Sequence, residues 1–230
     1  MEDRATEIAE NLARVRSRVD RACERAGRAP SEVALVAVTK TWPLSDLDHL
    51  ADLGQRDFGE NRDQEAAAKA TARPDLRWHF VGGIQTNKAR RIGSYASVVH
   101  SLDRAELIEP LRRGATEAGR EISVLIQVSL DEDPRRGGAN RGEVLALADL
   151  VAASQGVALA GVMAIAPLDW QPARAFGLLR EVSAQLTVAH SEAREISAGM
   201  SGDLEEAIAH GSTMVRVGSA LFGVREREVR

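Results

Sequence analysis

The side chains with the most distinctive chemistry are three lysines, Lys40, Lys69 and Lys88, because arginine supplies the other 27 of the 30 basic residues. Arginine therefore provides most of the positive surface charge. A lysine is a neutralisable primary amine on a flexible stem, so each of the three marks a position where that chemistry is available. An arginine-biased composition also leaves a few lysines by chance, so the ratio selects positions and assigns no role.

Lys40 ends the apolar, β-branched run VALVAVTK, residues 33–40, which is typical of a buried strand. In α/β barrels the active-site groups lie at the carboxyl ends of the strands. Partial desolvation there would lower the pKa of the amine and favour the neutral nucleophile that forms a Schiff base. The alternative is a lysine whose stem follows the strand end and whose ammonium group reaches solvent.

Two turns late in the chain have the composition of a phosphate site. G-M-S-G-D, residues 199–203, follows the seventh predicted strand, and R-V-G-S, residues 216–219, follows the eighth. Glycine and serine at such turns offer backbone N–H groups and hydroxyls to phosphate, and barrels recurrently bind phosphate there. The alternative is that Ser201 and Ser219 only cap short helices. An amine on strand one facing these turns is the arrangement that a phosphorylated aldehyde requires.

The remaining polar candidates are weaker. The five histidines do not have the spacing of metal ligands. His79 alternates with Trp78 and Phe80 in a strand, which favours a barrel-lining or core residue over a catalytic base. His100 ends the fourth predicted strand and is a candidate for lining the barrel mouth. DEDPRRGG, residues 131–138, is predicted to be a mobile, solvated loop, with contact to phosphate or a partner as the alternative.

The elements that position these residues alternate along the chain. Apolar spacing over residues 8–22 predicts an amphipathic helix that ends near Gly27. Eight strand candidates follow, at 33–40, 56–60, 76–82, 97–101, 122–130, 157–166, 194–199 and 213–218. Helices are predicted between and after them, at 44–54, 62–72, 86–94, 103–119, 141–154, 171–189 and 203–210.

Eight βα units predict an α/β fold, a closed (β/α)8 TIM barrel with an extra N-terminal helix. An open doubly wound sheet is the alternative. It is weakened because no G-x-G-x-x-G motif follows the first strand. No linker or internal repeat interrupts the pattern, so we expect residues 1–230 to form a single domain.

Composition excludes several classes of protein. A net charge of −4 and a pI near 5.8 argue against a general nucleic-acid coat. Cys23 is the only cysteine, so neither an intrachain disulfide nor a cysteine-based zinc site can form. The N-terminal residues mix acids and arginines, unlike a signal peptide, and no apolar run approaches the roughly 20 residues of a membrane span. We therefore expect a cytoplasmic protein without membrane attachment.

Six segments, in order along the chain, carry a resemblance to a known family. The sequence resembles the YggS/PROSC family of pyridoxal phosphate homeostasis proteins, which share the barrel of the alanine racemase N-terminal domain. The segments are LVAVTKTWP (35–43), DFGENRDQE (57–65), WHFVGGIQTNK (78–88), SLDR (101–104), GVMAI (161–165) and GMSGDLEEAIAHGSTMVRVGSALFG (199–223).

The resemblance implies a cofactor and the residues that hold it. Lys40 is expected to carry pyridoxal 5′-phosphate (PLP) as a Schiff base, the internal aldimine. The phosphate is expected on Ser201, Gly218 and Ser219. Arg216 is expected to face the pyridine nitrogen, and Asn61 and Met200 to lie near the ring. A guanidinium there disfavours the pyridinium form and weakens PLP as an electron sink, which suits holding PLP more than transforming amino acids.

Three positions depart from the family pattern. G-G-I-Q, residues 82–85, replaces the usual G-P-L-Q, and Arg62 stands where a tyrosine is common. Both changes are expected to be tolerated. Arg135 or Arg136 replaces a lysine often found in the loop after strand five, which leaves open any role of a second exchangeable amine there.

The function expected from the resemblance is PLP homeostasis. The protein is expected to be a monomeric, non-catalytic carrier that delivers PLP, with apo PLP-dependent enzymes as partners. An alanine-racemase-type enzyme is the first alternative. It needs a tyrosine opposite Lys40 from a second domain that we do not expect after Gly223, and the only tyrosine is Tyr95. A colourless Schiff-base aldolase acting on a phosphorylated sugar is the second alternative.

Overall fold

The computed structural model describes residues 4–133 and 135–223. Eight parallel strands in it close into a barrel, because β1 pairs with both β2 and β8 while β4 pairs with β5. The closed barrel is therefore confirmed, and the open-sheet alternative is wrong. The strands are β1 Ala34–Val38, β2 Asp57–Glu60, β3 Arg77–Phe80, β4 Val98–Leu102, β5 Ile122–Ser129, β6 Val157–Met163, β7 Glu195–Ser197 and β8 Met214–Val217.

Helices surround this barrel. They are α1 Arg4–Arg25, α2 Leu44–Asp52, α3 Asp63–Ala72, α4 Thr86–Tyr95, α5 Ile108–Glu117, α6 Val144–Ala152, α7 Pro172–Ala189, α8 Leu204–Ala209 and α9 Ser219–Phe222. The predicted helix 103–119 begins later, because a 3-10 turn at Ala105–Leu107 precedes α5. Pro110 is compatible with α5 since it lies in the first turn, where its missing N–H has no helical partner.

The structure adds one element that the sequence pattern did not indicate. A two-residue strand, Ala139–Asn140, pairs with the end of β5 after the 131–138 loop. Across residues 4–133 and 135–223, no helix is both long enough and apolar enough to cross a membrane.

The outer core lies between the barrel and its helices. The predicted apolar stripe of α1 is confirmed, since Ile8, Leu12, Val15, Val19 and Ala22 are all buried. They pack in one cluster with outward-facing strand residues such as Ala37 and Phe58. Helix α1 thus covers the side of the barrel where the first and last strands meet.

The barrel interior is filled differently. Val98, Leu125 and Met163 form a small apolar cluster of their own. Trp78 and Phe80 belong to the outer clusters, so strand alternation turns His79 between them toward the barrel axis. The interior therefore contains polar side chains as well as apolar ones.

Candidate cofactor site

Lys40 lies two residues beyond β1, at the barrel mouth. Thr39 N–H donates to the Gly59 carbonyl at 2.9 Å, which extends the ladder with β2 by one residue. Val36 and Val38 face inward, where their methyl groups lie nearest to Gly59, so alternation places Lys40 on the same face. The side chain of Lys40 is exposed, and the expected partial desolvation of its amine is therefore wrong.

The pairing of β1 with β8 brings the last turn of the site beside Lys40. Val36 and Ala37 are in register with Arg216 and Val217. The register continues into the turn, since a Cβ at Gly218 would lie 3.1 Å from the Val38 carbonyl oxygen. Neighbouring strands are about 4.8 Å apart, so this turn and the Lys40 backbone are adjacent.

The two predicted phosphate turns converge through their hydroxyls. Ser219 Oγ donates to Ser201 Oγ at 3.1 Å, and Ala220 N–H donates to Ser201 Oγ at 3.4 Å. Neither serine is the N-cap of α8 or α9, because Asp203 and Gly218 occupy those positions. The two hydroxyls instead form a pair at the surface, between turns that are 18 residues apart.

Helix α1 braces both turns from outside. Arg18 donates to the Ser201 carbonyl at 2.9 Å and pairs with Glu205 at 2.7 Å. The hydrogen bond from Arg18 lowers the pKa of Glu205. Asn11 donates to the Leu221 carbonyl at 2.9 Å. The sequence pattern of α1 did not reveal this role, because only the fold shows that its polar residues reach the last two βα turns.

Arg216 is buried inside the barrel, below these turns. Its guanidinium donates to the Ser197 carbonyl at 2.8 Å and to the Ala164 carbonyl at 3.0 Å. The hydrogen bonds of Arg216 within the described residues go to uncharged oxygens of Ser197 and Ala164. Desolvation lowers the pKa of Arg216 to about 10, so the group remains a cation at neutral pH.

A chain of hydrogen bonds runs from Arg216 through the barrel interior. Arg216 Nη1 donates to Ser197 Oγ, which lies 2.8 Å from His100 Nδ1. His100 Nε2 lies 2.8 Å from His79 Nδ1, and His79 Nε2 lies 2.9 Å from Asp57 Oδ1. The barrel-lining position of His79 is confirmed, whereas the placement of His100 at the mouth is wrong because it is fully buried.

The partners in this series of hydrogen bonds fix the tautomers of His79 and His100. Burial lowers the pKa of His79 and, more strongly, that of His100, so both rings are neutral at pH 7. A charged Asp57 can only accept, so His79 Nε2 carries the proton and its Nδ1 accepts from His100 Nε2. His100 Nδ1 then accepts from the hydroxyl of Ser197. Each hydrogen bond in this series is donated in the direction away from Arg216, and the series helps to fix the position of Arg216.

Asn61 and Met200 follow β2 and β7 at the barrel mouth, and their expected place near the ring stays a prediction. Asn61 Oδ1 is buried without a hydrogen-bond partner among the described residues. Gly82 packs against Asn61 so closely that a Cβ there would lie 2.2 Å from the Asn61 carbonyl oxygen. Met200 is 40% exposed, and its N–H donates to Asp203 at 2.6 Å. An amine, paired hydroxyls, an unused amide oxygen and a buried cation fit a phosphorylated pyridine aldehyde.

The 131–138 loop is fastened to the barrel by its arginine and by the strand beside it. Arg136 pairs with Asp131 at 2.8 Å and donates to the Ile165 carbonyl at 2.9 Å. Gln127 on β5 donates to the Gly137 carbonyl at 2.8 Å. Arg135 is exposed and pairs with Asp133 in the same loop, while Pro134 lies outside the described residues.

Tyr95 is remote from the arrangement that a racemase requires. It ends α4, half-buried, and its hydroxyl lies 3.4 Å from Asp63 Oδ1 at the start of α3. Burial raises the pKa of this hydroxyl. Its position in the helical layer gives it no contact with Lys40.

Comparison with known proteins identifies the family. The family described as alanine racemase, N-terminal domain, matches residues 10–226. A pyridoxal phosphate homeostasis protein of Corynebacterium glutamicum is 40% identical over 218 residues, which are 92% of this chain and 99% of that protein. The chain belongs to the family of pyridoxal phosphate homeostasis proteins.

Solved structures separate this family from the racemases. PipY of Synechococcus elongatus, solved with PLP bound, is 37% identical, with a TM-score of 0.82 over 94% of this chain and all of its own. An alanine racemase of Clostridium difficile is 13% identical, with a TM-score of 0.75 over 96% of this chain and 58% of its own. The likeness to the racemase shows the fold alone, whereas PipY is similar in sequence as well.

The two buried histidines predict a pH dependence of stability. In the folded protein the pKa values of both histidines lie below 6.5, the value of an unperturbed histidine. As the pH drops below 6.5, the unfolded chain therefore binds more protons than the folded one, and the free energy of unfolding falls. Each ring contributes up to about 1.4 kcal/mol per pH unit. We expect urea unfolding of the His79→Gln/His100→Gln variant to show a shallower loss between pH 6.5 and 5 than the unaltered protein. Equal slopes would contradict neutral, buried imidazoles.

The contact between Gly82 and Asn61 predicts a difference between adjacent glycines. Gly82→Ala should lower the free energy of unfolding by about 2 kcal/mol or more, because its Cβ would overlap backbone atoms. Gly83→Ala is the matched control and should change it by about 0.5 kcal/mol or less, since a Cβ there meets open space. Chemical denaturation compares the two variants. Equal losses would show that the mouth is not packed in this way.

Proposed function

We propose that this protein, as a single barrel domain over residues 1–230, binds PLP as a Schiff base on Lys40 and buffers or delivers it in the cytoplasm. The observation that carries the proposal is the convergence of Lys40 with the hydroxyl pair of Ser201 and Ser219 at one edge of the barrel. It is supported by a relative named pyridoxal phosphate homeostasis protein and by PipY, which was solved with PLP bound.

The exposed position of Lys40 suits loading and release. Lys40 would hold the aldehyde through a Schiff base, whose formation releases water and whose hydrolysis consumes it, so the attachment would be reversible. The Lys40 side chain is exposed, so the aldehyde and water can both reach it. Bound PLP supplies an electron-withdrawing ring joined to the lysine. Retention then depends on the phosphate turns, Asn61 and Met200.

Arg216 favours retention over turnover. Its guanidinium is a cation at neutral pH, and in the proposed orientation it faces the pyridine nitrogen. A cation beside that nitrogen disfavours its protonation, which weakens the ring as a sink for carbanion electrons. Ser197 and the Ala164 carbonyl hold Arg216 in a fixed position, so its charge cannot move away from the ring.

The racemase alternative has no supporting observation at the site. A two-base racemisation needs a second acid/base opposite Lys40, and Tyr95 lies instead between α3 and α4. The likeness to alanine racemase is one of fold alone. We therefore propose a monomeric carrier without turnover of its own, with apo PLP-dependent enzymes as the recipients.

The proposed function identifies Lys40 as the lysine that PLP modifies. Purified protein incubated with PLP should turn yellow and show the near-visible absorption band of a Schiff base, and borohydride should fix the cofactor on Lys40, read by peptide mass mapping. Lys40→Ala should abolish the band, whereas Lys88→Ala, the matched control, should keep it. A colourless protein would favour the sugar-phosphate aldolase, and an adduct on Lys69 or Lys88 would contradict the assigned site.

The same loaded protein distinguishes a carrier from an enzyme. Incubated with an apo PLP-dependent enzyme, it should restore that enzyme's activity. Incubated with L-alanine, it should produce no steady flux of D-alanine. Racemisation at ordinary enzyme rates would overturn the carrier proposal while leaving PLP on Lys40.

The hydroxyls of Ser201 and Ser219 are proposed to bind the phosphate group of PLP. Ser201→Ala and Ser219→Ala should each weaken PLP binding by about tenfold or more, because each removes a hydrogen bond to a charged group. Binding of pyridoxal, which lacks the phosphate, should be unchanged in both. Ser191→Ala, at an exposed serine that bonds only locally, is the matched control. Equal losses for PLP and pyridoxal would show that the two hydroxyls do not contact phosphate.

A further inference from the structure

Lys69 is a buried lysine whose ammonium group is fully engaged. It lies on α3 and is 8% exposed. Its Nζ donates at 2.7 Å to each of three acceptors, the Thr39 carbonyl, Glu60 Oε1 and Glu65 Oε1. An ammonium has three N–H donors, so none is left over. The Lys69 amine is therefore held by fixed partners in three directions and is unsuited to act as a nucleophile.

The partners of Lys69 lie on both sides of Lys40. The Thr39 carbonyl belongs to the peptide group that precedes Lys40, and it accepts directly from Lys69. The Thr41 N–H belongs to the peptide group that follows, and it donates to the same Glu65 oxygen at 2.7 Å. One ammonium group thus connects the two peptide groups that flank Lys40.

Glu60 adds a third connection to the same backbone. Its Oε1 also accepts from Thr39 Oγ1 at 2.6 Å, and its side chain is buried. Burial raises the pKa of Glu60, while the hydrogen bonds from Lys69 and Thr39 oppose that rise. Lys69 therefore brings together two carboxylates that would otherwise repel each other beside the end of β1.

The turn that follows Lys40 needs this support. Thr41 has a φ of 67°, in the left-handed region that a β-branched residue rarely adopts. Such a conformation persists only where surrounding contacts enforce it. The hydrogen bond from Thr41 N–H to Glu65, and that from Trp42 N–H to the Thr39 carbonyl at 3.0 Å, both help to enforce it.

We propose that Lys69, acting through Glu60 and Glu65, is a positioning residue that sets the direction of the Lys40 side chain just beyond the end of β1. The inference rests on the proposed function, in which Lys40 carries the cofactor. It also gives a reason for lysine at residue 69 in an arginine-rich chain. A compact ammonium donates in three directions from one atom, whereas a planar guanidinium distributes its donors over a wider fork.

The test compares two pairs of variants at Glu65 and Lys69. Glu65→Ala removes the acceptor for Thr41, and Glu65→Gln restores an oxygen there. Lys69→Met removes the ammonium, and Lys69→Arg keeps the charge with the wrong geometry. Each is loaded with PLP at least 20 °C below its own unfolding midpoint. Affinity, the visible circular dichroism of the bound cofactor and the site of borohydride attachment are then measured.

We expect Glu65→Ala, Lys69→Met and Lys69→Arg to bind PLP about tenfold more weakly, with reduced visible circular dichroism and attachment still on Lys40. Glu65→Gln should recover most of both properties. Leu111→Ala, at a buried residue of α5, is the stability control: it should lower the unfolding midpoint and leave affinity and dichroism unchanged. If Lys69→Met does not fold, the Glu65 pair still decides the question because that side chain is partly exposed.

Failure of the proposed function and failure of the positioning role of Lys69 give different results. If the unaltered protein does not load PLP on Lys40, the proposed function fails. If it loads normally and the Glu65 and Lys69 variants behave like Leu111→Ala, the positioning role is wrong and the proposed function stands.

Discussion

The parallel pairing of β1 with β8 is the interaction on which the site depends. It joins the first strand to the last and places Lys40 beside a turn nearly 180 residues away in the sequence. In the proposed site one segment provides the amine and the other the hydroxyls, so a phosphorylated aldehyde is held at both ends only where the two segments are adjacent. Helix α1 reinforces the same seam through Asn11 and Arg18, so the element that precedes the barrel also holds the site together.

Two buried polar networks act on this seam from different sides. The interior network fixes a cation, Arg216, below the mouth, through Ser197 and two neutral histidines. The Lys69 network lies between β1, β2 and α3 and holds the backbone around Lys40. Buried polar groups of this kind are costly unless fully partnered, and most of the hydrogen-bonding groups in both networks have partners. The two networks fix the position of the charged Arg216 and of the backbone around Lys40, which a purely apolar interior would not do.

Local sequence pattern predicted the elements and the mouth residues well, for a physical reason. Strand and helix periodicity reflect burial that is repeated along the chain, so all eight strands and the stripe of α1 were readable. Lys40, Ser201 and Ser219 were predicted to share one edge because the strand ends of a barrel meet there, and the structure places them at that edge. That they hold a cofactor stays a prediction. The exposure of Lys40 was not foreseen, since the number of neighbours around a strand end depends on how the loops fold.

The networks could not be predicted from pattern, because their partners are separated by up to 97 residues and meet only through barrel closure. His100 was misplaced because its strand extends two residues beyond it and turns it inward. Lys69 carried one local indication, Glu65 four residues before it on the same helix face. Its burial follows from the small alanines on α3, which let the helix approach the barrel closely.

The most direct test of the account is a crystal structure of the protein loaded with PLP. The account predicts continuous density from Lys40 Nζ to the cofactor, with the phosphate within hydrogen-bonding distance of Ser201 and Ser219 and the ring nitrogen facing Arg216. Density for the cofactor on another lysine, or a phosphate remote from the two serines, would contradict it.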